Sequence, residues 1–241
     1  MLADYDGTLA PVTAERDDAV PEEGAREALG ELAGKLRLVG VVSGRPLSFL
    51  ARQLGDVPGL CLFGLYGLER SEAETSSRER EAETSAWKGE MARLARQAGS
   101  QAPPGVEVED KGLSIVLHAR RRPEALAWAL EWAQAQAAAT GLVAQPGRLS
   151  VELLPPAAAG GKARVVEEVG ARLEALCFLG DDVGDLPAFA SLGRLRALGK
   201  ATAAVGVSSP EGPPDLASSV DLLVDGPAGA VELLRKIARQ G

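Results

Sequence analysis

Histidine and cysteine are nearly missing from this 241-residue chain, which holds one His, His118, and two Cys, Cys61 and Cys177. Both thiols sit among apolar neighbours and are expected as reduced, buried core residues of a cytosolic protein. Neither has a His or a third Cys at ligand spacing, so a zinc centre is not expected. Long apolar runs are lacking as well. No stretch approaches the roughly 18 continuous apolar residues of a membrane helix. The opening Met1-Leu2-Ala3-Asp4 carries neither the basic region nor the apolar core of a secretion signal. A cytoplasmic monomer with no membrane partner is the expectation. Positive charge is in deficit, 26 Lys and Arg against 34 Asp and Glu, for a net charge of −8. That balance argues against nucleic acid as a partner, because a phosphate backbone demands basic surface. It leaves small anionic ligands open, since one lysine, a metal ion and a helix N-terminus suffice for a locally cationic site.

Short apolar runs alternate with helical patterns at both ends of the chain. Residues 36–42, 60–63, 175–179, 203–207 and 222–224 read as strands. Residues 25–35, 163–173, 186–192 and 228–238 carry apolar side chains at helical spacing, and Pro46 opens a further helix. Alternation of this kind predicts an α/β fold with a doubly wound parallel sheet. The middle differs. Residues 71–85 are polar and charge-rich and are expected as a solvated loop. A helix around residues 87–97, strands at 107–109, 113–118, 142–144 and 149–153, and an Ala-rich helix over 124–139 form a smaller α+β lobe. The expected division is a core of residues 1–83 and 159–241 with an inserted domain over 84–158.

Four clusters carry chemistry. In Asp4-Tyr5-Asp6-Gly7-Thr8 two aspartates lie one residue apart where the chain leaves a strand, with Gly7 permitting a tight turn. One carboxylate can attack phosphorus while the other moves the proton, provided a cation neutralises the charge. Ser43-Gly44-Arg45 closes a strand just before a helix, where the Ser43 hydroxyl and the first free N–H groups are expected to bind a phosphate oxygen together. Gly160-Gly161-Lys162 fails as a nucleotide-binding P-loop, because Pro156 falls where its first glycine belongs and Ala163 where Ser or Thr belongs. A lysine at a helix start still suits a phosphate anchor. Gly180-Asp181-Asp182-Val183-Gly184-Asp185 crowds three carboxylates at a strand end, which points to an oxygen-ligated divalent cation, Mg²⁺ rather than zinc. Asp181 is the main ligand expected there, with Asp182 and Asp185 as direct ligands or as acceptors behind them. All four clusters fall at strand ends or helix starts, which converge on one crevice in a doubly wound sheet.

In their order these motifs resemble the haloacid-dehalogenase-like (HAD) phosphatases, and more narrowly the trehalose-6-phosphate phosphatases. The resemblance is carried by residues 4–11, 41–45, 64–69, 109–118, 147–152, 161–163 and 178–182. It implies a Rossmann-like HAD core with a cap domain and a small-molecule sugar phosphate, trehalose 6-phosphate, as substrate. It implies Asp4 as nucleophile, Asp6 as acid and base, and Ser43 and Lys162 as phosphoryl ligands. Mg²⁺ would be held by Asp4, the Asp6 carbonyl, Asp181 and Asp182. Gly44, Arg45, Lys111, His118 and Glu152 would bind substrate. Another sugar phosphate, such as sucrose phosphate or a glycosyl-phosphoglycerate, and a non-catalytic sugar-phosphate sensor are the alternatives. Three departures stand out: only Met1-Leu2-Ala3 precede Asp4, shorter than the family's usual apolar run, so either a trimmed start or reduced stability there is expected; Tyr66 replaces a frequent His; Gly184 replaces a usual Thr.

Overall fold

The computed structural model describes residues 1–13, 18–71, 78–209 and 212–240, and of residues 78–84 the backbone alone. In chain order the elements begin β1 (Leu2–Ala3), α1 (Ala25–Ala33), β2 (Val39–Val42), α2 (Leu47–Leu54), β3 (Leu60–Gly64) and β4 (Glu69–Arg70). There follow α3 (Arg78–Gln101), β5 (Glu107–Asp110), β6 (Ile115–His118), α4 (Leu126–Thr140), β7 (Val143–Pro146) and β8 (Ser150–Leu154). The chain closes with α5 (Gly161–Arg172), β9 (Ala175–Gly180), α6 (Leu186–Ala197), β10 (Ala201–Ser208), β11 (Leu222–Asp225) and α7 (Gly226–Gln240). Two compact units result, one of Met1–Ser71 with Gly161–Gly241, the other of Glu72–Gly160.

The first unit is a seven-stranded sheet in the order β11-β10-β9-β1-β2-β3-β4, parallel except for β4. Side chains alternate across it as the pleat requires. Ala3, Val41 and Leu179 pack with α1, α2 and α7, whereas Leu2, Val42, Phe63 and Phe178 pack with α5 and α6. The doubly wound α/β fold is therefore as expected. β1 is only two residues long but central, paired with β2 on one side and β9 on the other. The sheet grows one way from β1 through β2 and the other way through β9, so Asp4 leaves β1 at the topological switch point where α/β sheets place ligands.

The second unit is a four-stranded antiparallel sheet, β5-β6-β8-β7. Ile115, Leu117, Val151 and Leu153 on one face pack against Met91, Leu94 and Ala98 of α3 and Ala129, Trp132 and Ala133 of α4.

Three expectations change. Of the loop expected over residues 71–85, residues 72–77 lie outside the described part, and α3 already begins at Arg78. Arg, Glu and Ala are strong helix formers, and a helix anchored at Met91 and Leu94 extends at the gain of one hydrogen bond per residue, with no apolar face required. The short strand β4 was not foreseen. The two cysteines are only partly buried. No helix among the described residues is long and apolar enough to cross a membrane.

Candidate active site

The chain turns sharply after β1. The Tyr5 carbonyl accepts the N–H groups of Leu9 and Ala10, both at 2.9 Å, and Gly7 donates to the Ala10 carbonyl at 2.7 Å. Tyr5 is fully buried against Phe49, and its hydroxyl donates to the Ala19 carbonyl at 2.8 Å. The residue between the two aspartates thus anchors the turn while Asp4 and Asp6 leave it in different directions. Gly7 has φ 79°, and a Cβ there would overlap the Asp181 carboxylate. Only glycine allows the turn to pass so close to that group.

Asp4 is 4% exposed and meets Lys162, itself 5% exposed, at 2.8 Å between Oδ2 and Nζ. Lys162 also donates to Asp185 Oδ1 at 2.7 Å. The other Asp185 oxygen accepts the backbone N–H groups of Asp181 at 3.0 Å and Asp182 at 3.1 Å. Asp185 therefore orients both the lysine and the loop after β9. Thr8 donates its hydroxyl to Asp181 Oδ1 at 3.0 Å, joining the loops after β1 and β9. Asp182 lies further out, with a 60% exposed side chain whose Oδ1 is 3.9 Å from Lys162.

Four carboxylates around one ammonium is an unbalanced arrangement. Burial drives Asp4 well above the ordinary carboxylate range; Lys162 opposes this, and Asp185, Asp182 and Asp181 reinforce it. Burial, with repulsion from Asp182 and Asp185, pushes Asp181 up to about 7. Burial pushes Asp185 up to about 6 against the pull of Lys162. For Lys162 burial acts downward, but attraction by Asp185, Asp4 and Asp182 outweighs it and keeps the ammonium charged. Asp4, Asp181 and Asp185 each offer an oxygen within 4.8 Å of the others. An all-carboxylate donor set with excess negative charge fits a hard divalent cation such as Mg²⁺ and suits zinc poorly.

The Ser43 loop differs from expectation. The Ser43 hydroxyl oxygen accepts the Arg45 N–H at 3.1 Å, which leaves its own proton to donate. The first N–H group of α2 is already engaged. Pro46 has none, and Leu47 donates to Glu69 Oε2 at 2.7 Å. Arg45 grips the Asp6 carboxylate in a fork and lies over the Phe49 ring, 4.5 Å from its centroid. The Tyr66 hydroxyl closes on Gly44, 2.7 Å from where a Cβ would be.

The remaining predicted residues gather in the second unit. Lys111 meets Glu152 Oε1 at 3.0 Å with both side chains largely buried, and Ser114 donates to the same oxygen at 2.7 Å. His118 lies 2.9 Å from Glu109 Oε2. Register places Glu109, Val116, Glu152 and Gln145 in one row across the sheet, on the face opposite the packed helices. The structure thus joins Asp4, Lys162, Asp181 and Asp185 in one cluster, Asp6, Ser43 and Arg45 in a second, and Lys111 with Glu152 in a third. Thr8, Ser114, Glu109 and Glu69 carry no individual signal in the sequence, although each lies inside one of the motifs.

The profile of the family described as trehalose-phosphatase matches residues 2–219. Trehalose-phosphate phosphatases of Mycobacterium tuberculosis and Mycobacterium bovis are 30% identical over 262 aligned residues, covering all of this chain. One from Mycobacterium ulcerans is 31% identical over 80% of it. The chain spans 61% of the length of the first two relatives and 51% of the third. Among solved structures, a trehalose-6-phosphate phosphatase related protein superposes with a TM-score of 0.73 at 19% identity, covering 100% of this chain and 98% of its own. The C-terminal domain of Candida albicans trehalose-6-phosphate phosphatase gives 0.71 at 20%, covering 100% and 92%. A haloacid dehalogenase-like hydrolase from Bacteroides thetaiotaomicron gives 0.60 at 15%, covering 98% of each chain.

Proposed function

The chain belongs to the trehalose-phosphatase family, and on that premise we propose that it hydrolyses trehalose 6-phosphate to trehalose and phosphate. The observation that carries this reading is the buried Asp4 carboxylate at the end of the central strand, 2.8 Å from Lys162 and grouped with Asp181 and Asp185.

Asp4 attacks phosphorus, and the bond from phosphorus to the sugar oxygen breaks as Asp6 passes its proton to that oxygen. Asp6 then takes a proton from water, which attacks the aspartyl-phosphate and releases phosphate, restoring Asp4. The Ser43 hydroxyl and the Lys162 ammonium donate to phosphoryl oxygens throughout. Asp4, Asp181 and the Asp6 carbonyl would hold Mg²⁺, with Asp182 beside them. When bound, the cation supplies positive charge against the phosphoryl group. Gly44 would meet substrate through its backbone beside the Tyr66 hydroxyl, and Arg45 acts through Asp6. Lys111, His118 and Glu152 recognise the sugar hydroxyls, since a neutral disaccharide can be held in orientation only by directed hydrogen bonds.

Phosphate release from trehalose 6-phosphate, glucose 6-phosphate and sucrose 6-phosphate, with and without Mg²⁺, tests the reading. Metal-dependent release with preference for trehalose 6-phosphate is expected. Preference for another sugar phosphate would transfer the activity to that substrate, and no release from any would leave a binding module.

A further inference from the structure

The start of α2 carries its own anion. Glu69 accepts the Leu47 N–H at 2.7 Å, at the helix end where negative charge is favoured. Glu69 opens β4 and pairs with Gly64, the last residue of β3. A Cβ on Gly64 would overlap the Leu47 backbone nitrogen, so glycine allows the hairpin to press against the helix start.

Between these strands the turn Leu65–Gly67 holds Leu65 at φ 46° and Tyr66 at φ 58°. Two successive residues with a Cβ in the left-handed region are disfavoured and need compensation. It is visible in the contacts. Leu65 N–H donates to the Arg45 carbonyl and Tyr66 N–H to the Ser43 carbonyl, both at 2.9 Å. The hairpin thus fixes residues 43–47 through three hydrogen bonds, and Arg45 fixes Asp6 through two more.

We propose that the β3–β4 hairpin is a positioning clamp, in which Glu69 sets the Ser43-Gly44-Arg45 loop and thereby the direction of the Asp6 carboxylate. Glu69 is a positioning residue, acting through Leu47, Arg45 and Asp6 rather than on substrate. The kinetic consequence rests on the proposed role of Asp6; the clamp itself does not.

The test compares Glu69→Ala, Glu69→Asp and Glu69→Gln with Mg²⁺ present. Rates are read with trehalose 6-phosphate and p-nitrophenyl phosphate, and amide hydrogen exchange at Leu47. Loss of one charge-assisted hydrogen bond predicts a kcat about tenfold lower for both substrates in Glu69→Ala, with KM changed by less than about twofold. Leu47 exchange is expected to quicken in parallel. Gln keeps an acceptor at the same reach without the charge and is expected to restore most of the rate and protection; Asp keeps the charge at shorter reach and is expected to restore neither. If Glu69→Ala does not fold, the contrast between Gln and Asp carries the test. An unchanged kcat in Glu69→Ala, equal losses in Gln and Asp, or a KM rise for the sugar phosphate alone would overturn the proposal. If the unmodified protein hydrolyses neither phosphate, the proposed function fails and Leu47 exchange alone decides the clamp.

Discussion

Arg45 holds both oxygens of Asp6, Nε to Oδ2 at 2.8 Å and Nη2 to Oδ1 at 2.7 Å. A forked guanidinium fixes a carboxylate in plane as well as in distance, and an ammonium cannot do so. For the proton transfer proposed for Asp6 the group is pre-aimed, and the fork occupies one site on each oxygen, leaving the others to carry a proton. General acid–base catalysis contributes about 10²–10⁴-fold, so Asp6→Asn is expected to lower kcat by that factor. Arg45→Lys keeps the charge and loses the fork, and a loss of about tenfold is expected, with the change in kcat rather than KM. Steady-state kinetics on both variants check this; a wild-type rate in Asp6→Asn would remove Asp6 from the chemistry.

How far the sequence discloses this arrangement depends on the range of each interaction. Asp4, Lys162 and Asp181 were legible because each sits where a strand ends or a helix starts, and the doubly wound fold brings those points together. The role of Asp185 was only half legible. The residue was visible as an acid before a helix, but its two-way hold on Lys162 and on the backbone of residues 181 and 182 depends on three-dimensional packing. Glu69 could not be read as the partner of Leu47, because that contact rests on a hairpin with two left-handed residues and no composition signals it. Helix position alone makes the Leu47 N–H a phosphate donor, and it carries no sign of the competing Glu69 carboxylate. Polarity misread the segment from Arg78 as loop, since it reports burial more directly than backbone conformation.

Gly7→Ala is expected to be far more damaging than its size suggests. The backbone there is left-handed, which costs a residue with a Cβ about 1–2 kcal/mol. The added carbon would also overlap the Asp181 carboxylate. Gly193→Ala in α6 is the control: nothing lies within 4 Å of the Cβ it would add. Thermal unfolding with and without Mg²⁺ should show a lower Tm and a weakened metal response for Gly7→Ala, and little change for Gly193→Ala. Equal behaviour of the two variants would mean that close approach at residue 7 is unimportant.

Variants at Glu152 would separate the proposed sugar recognition from the proposed phosphoryl chemistry. Both side chains are about one-eighth exposed, and Glu152 also takes the Ser114 hydroxyl on the same oxygen. Glu152→Gln preserves an acceptor for Ser114 and removes the charge that faces Lys111. If these groups bind the disaccharide, KM for trehalose 6-phosphate should rise about tenfold or more while kcat changes less. Turnover of p-nitrophenyl phosphate, which has no sugar, should stay near the unmodified rate. A parallel loss on both substrates would assign Glu152 to the stability of its own sheet.

The carboxylate cluster predicts an unusual pH response of stability. Asp181 and Asp185 move from 3.8 to about 7 and about 6 in the fold. The folded protein therefore keeps protons that the unfolded chain has already released between about pH 4 and pH 7. Stability from this cluster is present on the acid side of that window and drains away as pH rises through it, the reverse of a salt-bridged carboxylate. Burial of uncompensated charge is the cause, and a divalent cation removes it. Without metal, Tm is expected to fall from pH 5.5 to pH 7.5. Added Mg²⁺ should raise Tm more at pH 7.5, where it no longer competes with protons for the same oxygens. Scanning calorimetry with EDTA and with Mg²⁺ at both values decides the point. A Mg²⁺ effect equal at the two pH values would mean that the cation binds away from Asp4 and Asp181.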